Sequence, residues 1–229
     1  MIQVSKYYDL EIFQGISKDI LNRIFEASEI NKYKEGSIIF RDKEEVSNVF
    51  IVLSGYVSLY KINENGQKKV IFILGKGAIV NEVIVGDLTS SINCKVFEEC
   101  ELLKINREFL IKLMKEDFEL TKNIMESLSK KIRRMYRQLK NTPTSIKIEK
   151  RLAAKLYKLG LDYGVESSKG IYIDIELTIT YMSYLLGSPR ETVSRAMKKL
   201  QSNGLIEFKD KRVFIPDKNK LSTFFKTSW

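Results

Sequence analysis

The stretch TITYMSYLLGSPRETVSRAMKKL, residues 178–200, decides how this chain is interpreted. Thr178 can cap a helix whose apolar residues recur at helical spacing, and Gly187 tolerates the positive φ that often ends a helix. Ser188 is a cap residue, and Pro189 suits the first position of a second helix. Two short helices joined by a tight turn predict a helix-turn-helix, which indicates duplex DNA as the partner.

The second helix has one apolar and one polar, basic face. The apolar stripe is Val193, Ala196, Met197 and Leu200, and the outward residues are Arg190, Glu191, Ser194, Arg195 and Lys198. Arginine can donate two hydrogen bonds to guanine, and glutamate can accept one from cytosine. Because Glu191 and Arg195 are four residues apart, we expect them to pair with each other. The alternative is a salt bridge on a solvated helix with no further role, which the capped turn and the basic context disfavour.

Residues 187–195, GSPRETVSR, resemble the entry to the recognition helix in the Crp/Fnr family of bacterial transcription regulators. The resemblance implies six DNA contacts: Arg190, Glu191, Ser194 and Arg195 with bases, and Thr178 and Thr192 with phosphates. Arg190 matches one branch of the family and Ser194 the Fnr branch. The implied half-site contains G and is of the TGTGA or TTGAT kind, two alternatives that stay open.

Charge and length agree with two domains, of which the second binds DNA. The 229 residues suffice for two cores of ordinary size. Of the net charge of +10, residues 143–229 carry +7, from 16 Lys and Arg against 9 Asp and Glu. No secretory signal and no run of 18 apolar residues is present. We expect a soluble cytoplasmic protein with no membrane partner.

The first half of the chain shows short apolar runs separated by glycine and asparagine turns. We predict a helix over 16–27 and strands over 38–40, 49–53, 56–62 and 69–74. Short strands at regular spacing indicate a small barrel or jelly roll, and their order resembles the cyclic-nucleotide-binding roll of the same family. The predicted fold class is α+β: an N-terminal β-roll sensor domain (1–115), a long dimerisation helix (116–142) and a C-terminal winged helix-turn-helix domain (143–229).

The second domain is predicted to begin with a helix over 146–161. A loop over 162–170 and a strand over 171–175 follow, ahead of the helix-turn-helix. Strands over 205–208 and 213–215, joined by the basic tip 209–212, predict a wing along the phosphate backbone. The alternative for this tip is a charge cluster that is only solvated.

The helix between the domains carries apolar residues at coiled-coil spacing. From Phe118 on, these residues are Met125, Leu128, Ile132, Met135, Leu139 and Thr142. The alternative to dimerisation is a helix packed only on its own domain. A symmetric dimer would set two recognition helices about 34 Å apart and read a palindromic operator. Asn141 to Thr144, with a proline at 143, is predicted to be the hinge.

The effector pocket departs from the family pattern. Cyclic-nucleotide binders of the family hold the phosphate with a Gly-Glu pair and with an arginine followed by Ser or Thr. Here the matching pairs are Asn81-Glu82 and Ser90-Ser91, so the arginine is missing. Cyclic AMP is therefore not the expected ligand. The candidate pocket residues for an unidentified small molecule are Glu82, Ser90, Ser91, Met135 and Tyr136, and activity without an effector is the alternative.

The numbers of histidine and cysteine residues argue against a haem, an iron-sulfur cluster and a zinc site. The chain has no histidine for haem and two cysteines, too few for a four-cysteine iron-sulfur cluster or a zinc site. We expect no cofactor, no metal and no enzymatic activity. Cys94 and Cys100 are predicted to flank a hairpin that turns near Glu98, out of register, as buried apolar residues. A redox pair is the alternative.

The sequence as a whole predicts a homodimeric, sequence-specific transcription regulator. RNA polymerase is a further partner if the protein activates transcription. The alternative function is a non-specific, nucleoid-type protein that coats DNA.

Overall fold

The computed structural model describes residues 4–86, 88–140 and 146–226. Its helices are α1 (Lys18–Glu26), α2 (Arg107–Glu116), α3 (Phe118–Lys140), α4 (Ile148–Tyr163), α5 (Ile179–Leu186), α6 (Arg190–Ser202) and α7 (Lys218–Lys226). Its strands are β1 (Glu29–Tyr33), β2 (Ile38–Phe40), β3 (Asn48–Ile62), β4 (Lys68–Leu74), β5 (Asn93–Asn106), β6 (Gly164–Ser167), β7 (Gly170–Ile173), β8 (Glu207–Lys209) and β9 (Arg212–Ile215). Short 3-10 turns occupy Val4–Tyr7 and Glu11–Phe13. Apart from residues 67–69, the chain divides into two compact units within α3, between Met135 and Tyr136.

The first unit is the predicted β-roll. Its five strands follow the order β1-β5-β3-β4, with β2 also paired to β5. Strand β3 is buried on both faces, because Ile51 and Leu53 join a cluster with the helices while Phe50 and Val52 join the cluster inside the roll. This double burial explains why β3 reads as a continuous apolar run instead of an alternating one.

Strand β3 continues through the predicted break at Ser54-Gly55. Gly55 has φ +71°, and a Cβ there would lie 2.0 Å from the carbonyl oxygen of Glu99. The register with β5 shifts at this point, so the glycine marks a bulge in one bent strand. The prediction of two separate strands is therefore wrong, and β1 was not predicted at all.

Strand β5 is continuous, so the hairpin predicted near Glu98 is wrong. The turn-like residues lie opposite the bulge of β3, where Tyr56 pairs with Glu98. Cys94 and Cys100 are free, buried and on one strand. Burial raises the pKa of both thiols, that of Cys100 to about 11 and that of Cys94 further, which disfavours the reactive thiolate.

Helix α3 presents two apolar faces. Leu120 and Ile124 are buried in the core of the roll, and Leu128 packs half-buried against it. The exposed apolar residues of the helix are Phe118, Met125, Ile132, Met135 and Tyr136. The helix therefore packs on its own domain and also leaves most of the predicted seam uncovered. The side chain of Leu139, Thr142 and the predicted hinge 141–144 lie outside the described residues.

The second unit combines a four-stranded sheet, of order β6-β7-β9-β8, with helices α4 to α7. Helix α4 begins two residues later than predicted, β6 occupies part of the predicted loop 162–170, and α7 was not predicted. Helix α4 contacts both α6 and α7, and its Leu152 and Leu156 are fully buried. Across the described part of the chain, no helix has the length and apolar character needed to span a membrane.

Candidate nucleic-acid interface

The predicted helix-turn-helix is present as α5, a tight turn and α6. The Thr178 hydroxyl oxygen caps α5 by accepting a hydrogen bond from the Tyr181 N–H at 3.0 Å. Gly187 ends α5 in the left-handed conformation, with φ 59° and ψ 46°, as predicted. Pro189 is the N-cap residue of α6 and not its first helical residue, and no side chain caps this helix, so the predicted cap at Ser188 is wrong.

One face of α6 holds the helix in the domain. Val193, Ala196, Met197 and Leu200 are all buried, which confirms the predicted apolar stripe. Two polar contacts from α4 add to this packing. The Lys199 ammonium lies 3.0 Å from the Glu149 carboxylate, and the Arg151 guanidinium donates to the carbonyl of Leu186 at the end of α5. These anchors were not predicted, because Glu149 and Arg151 are distant in sequence from their partners.

The opposite face of α6 is open to solvent. Arg190, Glu191, Arg195 and Lys198 are exposed, while Thr192 and Ser194 are half-buried beside them. Within the part of the chain that the structure describes, the four exposed side chains form no hydrogen bond or ion pair. The predicted pairing of Glu191 with Arg195 is therefore wrong. Their polar groups carry no internal partner, so binding to an external partner breaks no contact within the protein.

The wing is present as β8 and β9, joined at Asp210 and Lys211, whose φ values of 50° and 61° suit a two-residue hairpin turn. Two of its three cations are paired, as Lys211 lies 3.1 Å from Glu176 and Arg212 lies 2.6 Å from Asp174. The side chain of Lys209 is exposed and has no partner among the described residues. The wing tip thus offers one cation that forms no ion pair with the described residues.

In the roll, the structure brings together three of the five candidate pocket residues. The Glu82 carboxylate accepts hydrogen bonds from the Ser91 N–H at 2.6 Å and the Ser91 hydroxyl at 2.9 Å. The Ser90 hydroxyl lies 3.4 Å from the same oxygen, but it donates to the Ile92 carbonyl at the shorter distance of 2.9 Å. Glu82 therefore closes the segment from 82 to 91 by its own side chain.

Asn81 stands where the family pattern has a glycine, and here it supports the roll. Its side-chain oxygen accepts from the Phe50 N–H at 2.8 Å, and its amide nitrogen donates to the Asn48 carbonyl at 2.9 Å. The residue is only 3% exposed. Asn81 thus satisfies two backbone groups of β3, and its side chain is not available to a ligand.

Lys131 of α3 completes this cluster, and it was not predicted. Its ammonium donates to the carbonyls of Val80 and Asn81, both at 3.1 Å. Burial lowers the pKa of Lys131 to about 8, against the opposing attraction of Glu82. Met135 and Tyr136 do not join the cluster, because both side chains are exposed. Lys131 lies one helical turn before Met135 on α3.

The described residues contain no group of three or more His, Cys, Asp or Glu that could hold a metal ion.

Two family models match this chain. One, described as a cyclic nucleotide-binding domain, matches residues 30–117, and the other, a Crp-like helix-turn-helix domain, matches residues 150–224. The chain is 27% identical to the anaerobic regulatory protein of Bacillus subtilis over 193 residues, covering 83% of this chain and 81% of that protein. It is 22% identical to the CRP-like cAMP-activated global transcriptional regulator of Mycobacterium tuberculosis over 214 residues, covering 92% and 94%.

The fold has close counterparts among solved structures. The structure of FixK2 from Bradyrhizobium japonicum matches with a TM-score of 0.76 at 15% identity, over 88% of this chain and 99% of that one. The fold and the two matched domains define a regulator that joins a cyclic-nucleotide-binding type of roll to a Crp-like helix-turn-helix. The chain belongs to the Crp/Fnr family of transcription regulators, and its DNA-binding domain carries α5 and α6.

Proposed function

We propose that this regulator is a cytoplasmic homodimer that reads a palindromic operator. The bases are contacted by Arg190, Glu191, Ser194 and Arg195, and the phosphates by Thr178 and Thr192. The observation that carries this assignment is the division of α6 into a fully buried apolar stripe and an exposed polar face without internal partners. A helix held this way can enter the major groove with its reading side chains free.

The exposed face of α3 supports a homodimer. Phe118, Met125 and Ile132 follow one another at intervals of seven residues and are all exposed, as is Met135. Seven-residue spacing is typical of helices that pair with a second helix of the same kind. Two copies related by a two-fold axis present two recognition helices. The operator is therefore an inverted repeat of two half-sites whose centres lie about 34 Å apart.

Selection of bound duplexes from a random library, at physiological salt, tests this function. We expect enrichment of one inverted repeat with G-containing half-sites centred one helical turn apart. Bound sequences without any shared motif would overturn specific reading and would instead indicate a nucleoid-type coat. A single unrepeated half-site would contradict the dimer while leaving base reading by α6 intact. Mapping the enriched motif onto promoters then separates activation, with RNA polymerase as partner, from repression.

A charge reversal at the wing tip predicts a uniform loss of affinity. In Lys209→Glu, the wing cation that forms no ion pair with the described residues becomes an anion facing the phosphate backbone. We expect binding to weaken equally on operator and random duplex, and the salt dependence of log K to become shallower by about one phosphate contact per half-site. Titrations at several salt concentrations measure both effects.

Lys169→Glu is the matched control for the wing. Lys169 lies at the β6–β7 turn, which the strand register places at the opposite end of the same sheet from the β8–β9 tip. It changes the net charge by the same amount and should leave the salt slope unchanged. Equal effects of both substitutions would mean that total charge, and not a wing contact, is responsible.

A further inference from the structure

We propose that the roll carries its own anionic ligand: the Glu82 carboxylate occupies the anion-binding position of the segment that ends at Ser90-Ser91. This inference rests on the proposed function only for its consequence, that operator binding requires no added nucleotide. The site itself is argued from contacts within the first unit.

The donors around Glu82 form a small anion site. One carboxylate oxygen receives the Ser91 N–H at 2.6 Å and the Ser91 hydroxyl at 2.9 Å. A backbone N–H and a hydroxyl that converge on one oxygen are a donor pair suited to phosphate or carboxylate. Because the Glu82 carboxylate already accepts from both donors, an exogenous anion would have to displace this carboxylate, which is negatively charged and part of the chain.

The donor end of the segment is held in place independently of Glu82. The Ser90 N–H donates to the Glu44 carbonyl at 2.9 Å, and the Ser90 carbonyl accepts from the Lys43 N–H at 2.7 Å. The Lys61 ammonium reaches the Ser91 carbonyl at 2.9 Å. The donors are thus fixed by the roll, and the glutamate is the group that fills the position they define.

Lys131 supplies the opposite charge and joins this site to α3. Its ammonium bonds the carbonyls of Val80 and Asn81, immediately before Glu82, and is attracted to the Glu82 carboxylate. The Glu82 carboxylate therefore has a cation of opposite charge close to it. A second anion in the same place would be repelled by the Glu82 carboxylate.

Removal of the carboxylate tests the proposal on the full chain without DNA. In Glu82→Ala, we expect the melting temperature of the roll to fall by about 4 to 8 °C, because a charge-assisted contact and its donors are left unmade. Sodium formate or acetate, compared with sodium chloride at equal ionic strength, should restore part of this loss by refilling the vacated position. The wild-type protein should show no difference between these salts.

Glu44→Ala is the matched control, since the Glu44 carboxylate also closes a turn of the roll by accepting from a backbone N–H, that of Arg41, at 2.8 Å. Its loss should not be reversed by formate. Glu82→Gln serves if the alanine variant does not fold, because it keeps the shape and replaces the charged acceptor by a neutral one that holds the Ser91 N–H more weakly. Exchange of the Ser91 amide hydrogen should become faster in Glu82→Gln and stay unchanged in Glu44→Ala.

Three outcomes would overturn the proposal. These are an equal response of wild type and Glu82→Ala to formate, unchanged Ser91 exchange in Glu82→Gln, and a rise in the wild-type melting temperature with cyclic AMP, cyclic GMP or inorganic phosphate. None of these measurements involves DNA. If the operator selection failed, the proposed role of Glu82 would be unaffected. If the measurements on Glu82 failed, the proposed reading of the operator would be unaffected.

Discussion

Replacing Arg195 by alanine is expected to lower affinity for the selected operator by about 1 to 3 kcal/mol per half-site, and by about twice that for a symmetric dimer. The guanidinium is exposed on the outer face of α6 and has no partner within the described domain, so its removal does not disturb the fold. The loss should be confined to operators that carry the preferred base, and the preference at that position should relax. Competition between operator and random duplex measures both.

Arg195→Lys and Lys198→Ala sharpen this test. The lysine variant keeps the positive charge but loses the planar fork that bonds two atoms of guanine at once, so it should resemble the alanine variant on the operator. Lys198→Ala removes a neighbouring exposed cation of α6 and should weaken all duplexes alike. If Arg195→Ala lost as much affinity on random DNA as on the operator, base reading by this residue would be refuted.

Ile132→Glu on α3 is expected to dissociate the dimer. The symmetry of a dimer places the substitution in the interface twice, so two apolar side chains lose their burial and two carboxylates lose water. Together these effects amount to about 4 kcal/mol or more, or about a thousandfold in the dissociation constant. Because Ile132 is 49% exposed in the single chain, the fold of the monomer should be unaffected. Analytical ultracentrifugation should then find the 26.6 kDa monomer.

Affinity for the operator should decrease when the dimer dissociates, since one recognition helix reads one half-site. Arg133→Glu is the control: it places a carboxylate on the neighbouring residue, which is exposed but lies off the apolar face. This variant should remain dimeric. A wild-type protein that sediments as a monomer at micromolar concentration, or an Ile132→Glu variant that stays dimeric, would show that α3 does not form the interface.

The recognition helix could be predicted in detail because its determinants are local. Capping by Thr178, the left-handed turn at Gly187 and the buried stripe from Val193 to Leu200 depend on residues within a few positions of one another. The same local rules gave a wrong prediction where a paired and an unpaired arrangement of two side chains differ little in free energy. Spacing permits a pair between Glu191 and Arg195, but two solvated charges gain little from pairing, and the structure keeps them apart.

The sequence predicted a β-roll, but it did not predict how the strands of the roll pair. Residues near Glu98 and Gly55 have the composition of turns, yet they form facing irregularities in two long strands. Each segment is held in strand conformation by a partner more than 40 residues away, and no local pattern reports such a partner. The hairpin expected between the two cysteines failed for this reason.

By itself, the amino-acid sequence determined the order of the domains, the exposed polar face of α6 and the absence of an arginine at the position of Ser90, because each depends on residue type or short-range spacing. Only the tertiary structure decided which groups contact the Glu82 carboxylate. Ser91 lies just before β5, Glu82 in a loop after β4 and Lys131 in α3, and packing of α3 on the roll brings Lys131 to this site. Packing between distant segments determines which charged groups come into contact, and the sequence of a single segment does not reveal those contacts.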